Sequence, residues 1–137
     1  MVPHLSKWRP MPITTHRKPD RDLSIFECEG SLSLNEIIAV IERFFQGTVA
    51  PPTNKILWDI RVASIDNLTA DHISKIADLV SGYRSEVKDT KIAVVVSDKL
   101  NTDIAKNFKV KSKGALKHLM VFRKIDEAIT WLEKDKE

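Results

Sequence analysis

The sequence predicts a single α/β domain with the element order ββαβαβαβα, that is, a five-stranded, mixed and mostly parallel sheet with four helices. The chain has 137 residues, of which 42% are apolar and 30% charged, and this suits one packed core beneath a solvated surface. Apolar residues recur in alternating segments at strand spacing and at helix spacing. Residues 91–97, KIAVVVS, contain an unbroken apolar run at 92–96, typical of a strand buried on both faces of a parallel sheet.

The chain begins with a segment that predicts no regular element. Three prolines interrupt residues 1–12, so we expect an irregular lead-in followed by the domain over residues 13–137. Residues 13–18 and 22–30 are rich in β-branched and apolar side chains and predict two strands. The segment PDR between them, residues 19–21, predicts a short turn, so the two strands are expected to pair antiparallel.

A capping box predicts the start of the first helix. The Ser33 hydroxyl can accept the amide of Glu36, whose side chain can reach back. Apolar residues then follow at helical spacing, at positions 34, 37, 38, 41, 44 and 45. Gly47 marks a stop, and the prolines of residues 49–54 predict a loop.

Strands and helices alternate over the rest of the chain. We predict strands over residues 55–60, 91–97 and 117–122, and helices after residue 69 and over about 101–113 and 125–134. Thr69 is the expected cap of the second helix, whose inner face carries Ile73, Ile76, Ala77, Val80 and Tyr83. This alternation indicates right-handed crossovers between parallel strands.

Composition sets further expectations about the class of protein. A single cysteine, Cys28, forms no internal disulfide, and its mid-strand position predicts a small buried apolar role. The first residues contain no apolar core of a secretory signal, and no apolar run reaches the ~20 residues of a membrane span, so we expect a cytoplasmic protein. Four scattered histidines and four unclustered glycines predict no metal site, no phosphate loop and no cofactor.

Positive charge is concentrated in one stretch. The formal net charge is only +3, which does not indicate a nucleic-acid binder. Residues 99–117, however, contain six lysines and one acidic residue, Asp103. Two interpretations stay open: a hydrated helix carboxyl terminus, where cations complement the dipole, or a surface for an acidic partner.

The candidate functional residues follow the third and fourth strands. The carboxyl ends of parallel strands meet at one edge of a sheet, and binding sites gather there. We therefore expect residues 61–69 and 97–102, called the rim below, to share one edge. The candidates for binding a partner or ligand are Asp59, Arg61, Ser64, Asp66, Asn67, Thr69, Ser97 and Asp98.

The strand pattern and the closing segment resemble a known family. The stretches "ILWDIR", "SIDNLTADH", "KIAVVVS" and "VFRKIDEAITWL" are similar to those of SpoIIAA-like STAS domains (sulphate transporter and anti-sigma-factor antagonist), over about residues 13–134. The resemblance implies a bacterial regulatory protein with a protein partner. In anti-sigma antagonists a phosphorylatable serine follows an aspartate at the start of the second helix. The corresponding pair here is Asp66–Asn67, and asparagine cannot be phosphorylated.

Three functions stay open, in this order. The first is a non-catalytic regulatory module that binds a protein through the rim, as a monomer or homodimer. The second is a carrier of a small apolar ligand or lipid, with a pocket lined by Phe44, Phe45, Phe108 and Met120, although such spacing is also typical of a packed core. The third is an enzyme that uses Asp59, Arg61 and Asp98. No group of residues in the sequence has the pattern of a catalytic site that would support this function.

Overall fold

The five strands lie side by side in the order in which the chain presents them. The structure is a computed structural model, and it describes residues 13–18, 22–46, 54–87 and 89–134. The strands are β1 (Ile13–Lys18), β2 (Leu23–Ser31), β3 (Lys55–Ser64), β4 (Lys91–Val95) and β5 (His118–Phe122). β1 pairs antiparallel with β2, and every later pair is parallel, so the predicted mixed sheet and hairpin are confirmed.

The helices connect these strands. They are α1 (Leu34–Phe45), α2 (Ala70–Ser81), α3 (Arg84–Val87), α4 (Lys99–Ser112) and α5 (Ile125–Glu133). The four predicted helices are present, and the one-turn helix α3 adds to them. Among the described residues, no helix has the length and apolar character that crossing a bilayer would require.

Helices cover both faces of the sheet. Each connection between two parallel strands leads to the next strand of the sheet, always in the same direction. Connections of the same handedness therefore place their helices on the same face of the sheet. The larger core cluster accordingly unites buried residues of α1, α2, α3 and α4 with alternate residues of the sheet. The last helix, α5, packs Ala128 and Leu132 on the opposite face, against Leu57, Ala93 and Val95.

Side-chain caps start the helices where the sequence predicts them. Ser33 and Glu36 form the expected capping box, with Ser33 Oγ accepting the Glu36 amide at 3.2 Å and Glu36 Oε1 accepting the Ser33 amide at 2.9 Å. Thr69 caps α2 by accepting the amide of His72 at 3.1 Å. Each such cap satisfies an amide that has no partner within its helix, which stabilises the helix by about 1 kcal/mol.

Several predicted boundaries were wrong, and one error bears on function. β3 continues to Ser64, four residues beyond the predicted end, because β2 still pairs with it as far as Ser31↔Ser64. β4 ends at Val95 rather than residue 97, and Tyr83 lies beyond α2. The predicted lead-in, the turn at 19–21, the stop at Gly47 and all of the proline loop except Asn54 lie outside the described residues.

Candidate functional site

The two loops of the rim lie at the same edge of the sheet. The Ser97 hydroxyl, just after β4, donates to the backbone oxygen of Arg61 in β3 at 2.7 Å. The Arg123 guanidinium, just after β5, donates to the backbone oxygen of Ser97 at 2.7 Å. The carboxyl ends of β3, β4 and β5 are therefore joined by direct hydrogen bonds, as the parallel topology predicts.

A buried asparagine fastens the two loops to each other. Asn101, in the first turn of α4, is 2% exposed. Its side-chain oxygen accepts the amide of Ile65 at 3.2 Å, and its side-chain nitrogen donates to the backbone oxygen of Ala63 at 3.0 Å. Ile65 and Ala63 are themselves buried, so Asn101 supplies the hydrogen bonds that water would otherwise make.

Polar side chains at the end of β3 and in the β3–α2 loop bond to one another and to the end of β2. The Ser64 hydroxyl donates to Asp66 Oδ1 at 2.6 Å, and the Asp66 amide donates to Ser64 Oγ at 3.3 Å. Asn67 Nδ2 donates to the hydroxyl of Ser31, at the end of β2, at 2.6 Å. The backbone adds a further link, from the Leu32 amide to the Ser64 oxygen at 3.0 Å. The loop is thus held in a defined conformation while Asp66 and Asn67 remain exposed.

Two of the predicted site residues serve as helix caps. Asp98 accepts the Asn101 amide at 2.7 Å and starts α4, and Thr69 starts α2. His72 completes a capping box with Thr69, accepting the Thr69 amide through Nδ1 at 3.3 Å. Both capping residues are exposed, so their caps orient the helix starts beneath the rim and leave their side chains accessible.

Asp59 lies apart from the loops, on the sheet face that α5 covers in part. It stands two residues after Leu57 on the same strand and is 5% exposed. Between the pairs Glu27↔Asp59 and Glu29↔Val62, β3 contains one more residue than β2. This β-bulge bends the strand. Arg61 donates to the carboxylate through its backbone nitrogen at 3.2 Å and through Nε and Nη2, both at 2.8 Å.

This ion pair sets the charge state of both groups. Burial of the carboxylate would by itself raise the pKa of Asp59, but the hydrogen bonds and charge of Arg61 hold it below its ordinary value of 3.8. The hydrogen bond to Asp59 correspondingly raises the pKa of Arg61. A buried carboxylate with this partner stays ionised and fixes the bulge, and its oxygens are occupied.

Cys28 is buried in the larger core, as expected. Burial, with the negative charges of Asp59 and Glu27, raises the pKa of its thiol to about 12. Since the thiolate is the nucleophile, this environment suits a packing role. Among the described residues, no group of three or more histidine, cysteine, aspartate or glutamate side chains is placed to hold a metal ion.

Exposed apolar side chains accompany the polar rim. Val62 is 74% exposed on β3, between the two residues whose backbone oxygens accept bonds from Ser97 and Asn101. Leu100 is 53% exposed in the first turn of α4. Sequence reasoning missed both, and it also missed Asn101. A signal existed for Asn101, since it stands one helical turn before Ala105 on the inner face of α4.

An apolar cavity lies between the sheet and the helices that pack in the larger core cluster. Its volume is about 120 Å³, and its lining includes Phe44, Phe45, Phe108 and Trp58. Three of the four predicted lining residues are therefore in place. The prediction for Met120 was wrong: its side chain is 38% exposed and lies 3.8 Å from Lys109 Nζ.

Comparison with known proteins adds information about the fold. No family model and no curated protein matches the chain. An anti-sigma factor antagonist from Mycobacterium paratuberculosis superposes with a TM-score of 0.59 at 14% sequence identity, over 92% of this chain and 98% of that one. An uncharacterised DUF3478-family protein with a SpoIIAA-like fold from Shewanella loihica PV-4 gives 0.56 at 19% identity, over 88% and 91%. The chain has the SpoIIAA-like fold.

The first prediction concerns Asn101. Replacing it, Asn101→Ala, leaves the buried Ile65 amide and Ala63 oxygen without partners, so the free energy of unfolding is expected to fall by about 2–4 kcal/mol. The measurement is urea unfolding. Asn107→Ala, on the same helix but half-buried, is the matched control and should change stability by less than about 0.5 kcal/mol. Equal losses in the two variants would contradict the assigned role.

The second prediction concerns the pH dependence of stability. Folding lowers the pKa of the Asp59 carboxyl group. Its contribution to the free energy of unfolding is therefore present above the pKa that the group has in the unfolded chain, and it is lost as the pH falls through the pKa of the folded protein. Asp59→Asn should therefore be less stable than the wild type at neutral pH. The difference between their free energies of unfolding should decrease as the pH falls from about 5 to about 2. Unfolding free energies measured across this range test it, and parallel pH profiles for the two proteins would count against it.

Proposed function

We propose that this chain is a non-catalytic regulatory module that binds a protein partner through the rim. The observation that carries the proposal is the combination found there: exposed Val62 at the end of β3 and exposed Leu100 at the start of α4, together with exposed Asp66 and Asn67 of the β3–α2 loop. Internal hydrogen bonds hold these segments in place. Protein interfaces combine apolar anchors with polar groups around them, and a preorganised loop loses little conformational entropy on binding.

The chemistry of the rim favours binding over catalysis. The rim hydroxyls of Ser64 and Ser97 donate to Asp66 and to a backbone oxygen, and neither bond involves a histidine base. Asp98 and Thr69 serve as caps. The anti-sigma factor antagonist with the same fold supports a regulatory role of this kind.

The proposed binding does not use a phosphorylated residue at position 67. Asn67 is held by its hydrogen bond to Ser31, and its amide presents both a donor and an acceptor to a partner. The hydroxyl of Ser64, at the end of β3, is half-buried and donates to Asp66. A phosphate at Ser64 would face that carboxylate, and repulsion between the two anions disfavours it.

The third prediction tests the rim by quantitative capture of partners from the source cell. Asp66→Lys reverses a rim charge, and Leu100→Glu removes an apolar anchor while placing an acid at a favourable helix start. Each should lower recovery of a stoichiometric partner at least about tenfold, as expected for loss of an interface anchor.

Asp78→Lys is the control for this experiment. It makes the same charge change at an exposed position near the other end of α2 and should leave recovery unchanged. Circular dichroism establishes that all variants are folded. Absence of any stoichiometric partner, or equal recovery by the wild type and all three variants, would refute the proposal.

We propose a small apolar ligand as the second candidate function, and the cavity is the observation that favours it. Its volume of about 120 Å³ is near that of an engineered cavity of ~150 Å³ that binds benzene, and well below the ~300–1,000 Å³ of pockets for drug-sized ligands. A molecule the size of benzene fits this volume, whereas a lipid does not.

The fourth prediction uses benzene itself as the probe. A ligand that binds the folded state alone raises the melting temperature, here by about 4 °C for a concentration roughly tenfold above the dissociation constant. Ala105→Leu places a larger side chain in the cavity lining and should abolish the shift. Wild-type melting that benzene does not change, or the same shift in both proteins, would exclude this function.

A further inference from the structure

Charge is segregated along the chain. Between Asp103 and Asp126 the sequence contains seven basic residues and no acidic one. Since the whole chain has a net charge of only +3, the remainder is net negative by four. The basic residues of this stretch are Lys106, Lys109, Lys111, Lys113, Lys117, Arg123 and Lys124.

Four of these lysines and two apolar residues are exposed on α4, just after it and on the neighbouring edge strand β5. α4 turns Ala105 and Phe108 inward, so Lys106, Val110 and Lys113 point away from the sheet. Lys109 lies on the side toward β5, with its Nζ 3.8 Å from Met120 Sδ. We call the surface formed by Lys106, Lys109, Val110, Lys113, Lys117 and Met120 the basic face.

The lysines of the basic face have no carboxylate partners among the described residues. Other exposed lysines do: Lys99 pairs with Asp103 at 2.9 Å and Lys75 with Asp71 at 3.6 Å. Attraction to the helix carboxyl terminus accounts for lysines in the last turn of α4, but Lys106 precedes that turn and Lys117 follows the helix. Lysines spaced three and four residues apart also repel one another, and a partner's negative charge would relieve this repulsion.

Apolar side chains interrupt the positive charge. Val110 is 67% exposed and Met120 is 38% exposed. A phosphate backbone offers these groups no apolar contact, and the basic face carries neither the arginine nor the aromatic side chains with which proteins read or stack bases. Two apolar side chains are also too few for the broad apolar surface of a membrane-bound helix.

We propose that the basic face docks an acidic protein segment that carries apolar side chains among its carboxylates. The carboxylates pair with the four lysines, and the apolar side chains contact Val110 and Met120. The basic face lies toward the carboxyl-terminal end of α4, whereas the rim lies at its start. This second docking surface is therefore independent of the proposed function of the rim.

The test is binding of a labelled poly-glutamate peptide with leucine at every fourth position, followed by fluorescence anisotropy. The triple variant Lys106→Glu, Lys109→Glu, Lys113→Glu reverses the charge of the basic face. The matched control, Lys18→Glu, Lys75→Glu, Lys134→Glu, makes the same change in net charge at exposed lysines elsewhere. Melting temperatures of both variants establish that they are folded.

The wild type and the control are expected to bind the peptide with affinities within about threefold of each other, weakening with salt, and the triple variant at least about tenfold more weakly. A Val110→Ser variant should also bind more weakly, because the apolar contact is lost. Equal losses in the triple variant and the control, or no binding by the wild type, would overturn the proposal. Tighter wild-type binding to duplex DNA or to phosphatidylserine vesicles than to the peptide would overturn it as well.

Discussion

The side-chain amide of Asn101 joins the start of α4 to the end of β3 and the loop that follows it, about 36 residues earlier in the chain. It reaches the β3–α2 loop from the first turn of α4, and it bonds both an amide and a carbonyl that are buried. Asparagine fits this position because it offers a donor and an acceptor on one short, uncharged side chain. The conformation of the rim, and hence any function that depends on it, rests on this contact together with the bond from Ser97 to Arg61.

The bulge in β3 positions the strand end from which the rim begins. One extra residue between the pairs with Glu27 and Glu29 shifts the alternation of side chains, so that Ala63 faces the larger core and Val62 the solvent. The carboxylate of Asp59 holds this irregular backbone through Arg61. Asp59 thus supports the rim through Arg61, and the exposed residues of the rim present its surface.

Local patterns in the sequence account for most of the fold. The capping box at Ser33, the apolar run of β4 and the Thr69 cap depend on near neighbours, and each is where the sequence predicts it. The extension of β3 to Ser64 could not be read in the same way, because its polar residues are held in the sheet by pairing with β2. Contacts between distant residues decide such cases.

The candidate site shows the same division between local and long-range information. The position of both segments of the rim at one edge of the sheet could be predicted from the parallel topology. The separation of Asp59 from the rim depends on a β-bulge, which no sequence motif predicts. The exposure of Val62 and Leu100 is likewise set by tertiary packing. Of the proposed apolar pocket, the three phenylalanines could be placed from helical spacing, while the side of the sheet that Met120 faces depends on the register of the edge strand β5.

Native-state hydrogen exchange at the Ile65 amide tests the central role of Asn101 most directly. If Asn101 holds the loop as firmly as the sheet holds its strands, this amide should exchange with an opening free energy close to that of Val96, whose amide bonds the Phe122 oxygen at 2.9 Å. Exchange of Ile65 at the rate of an unprotected amide, with Val96 still protected, would show that the loop opens independently and would contradict this account.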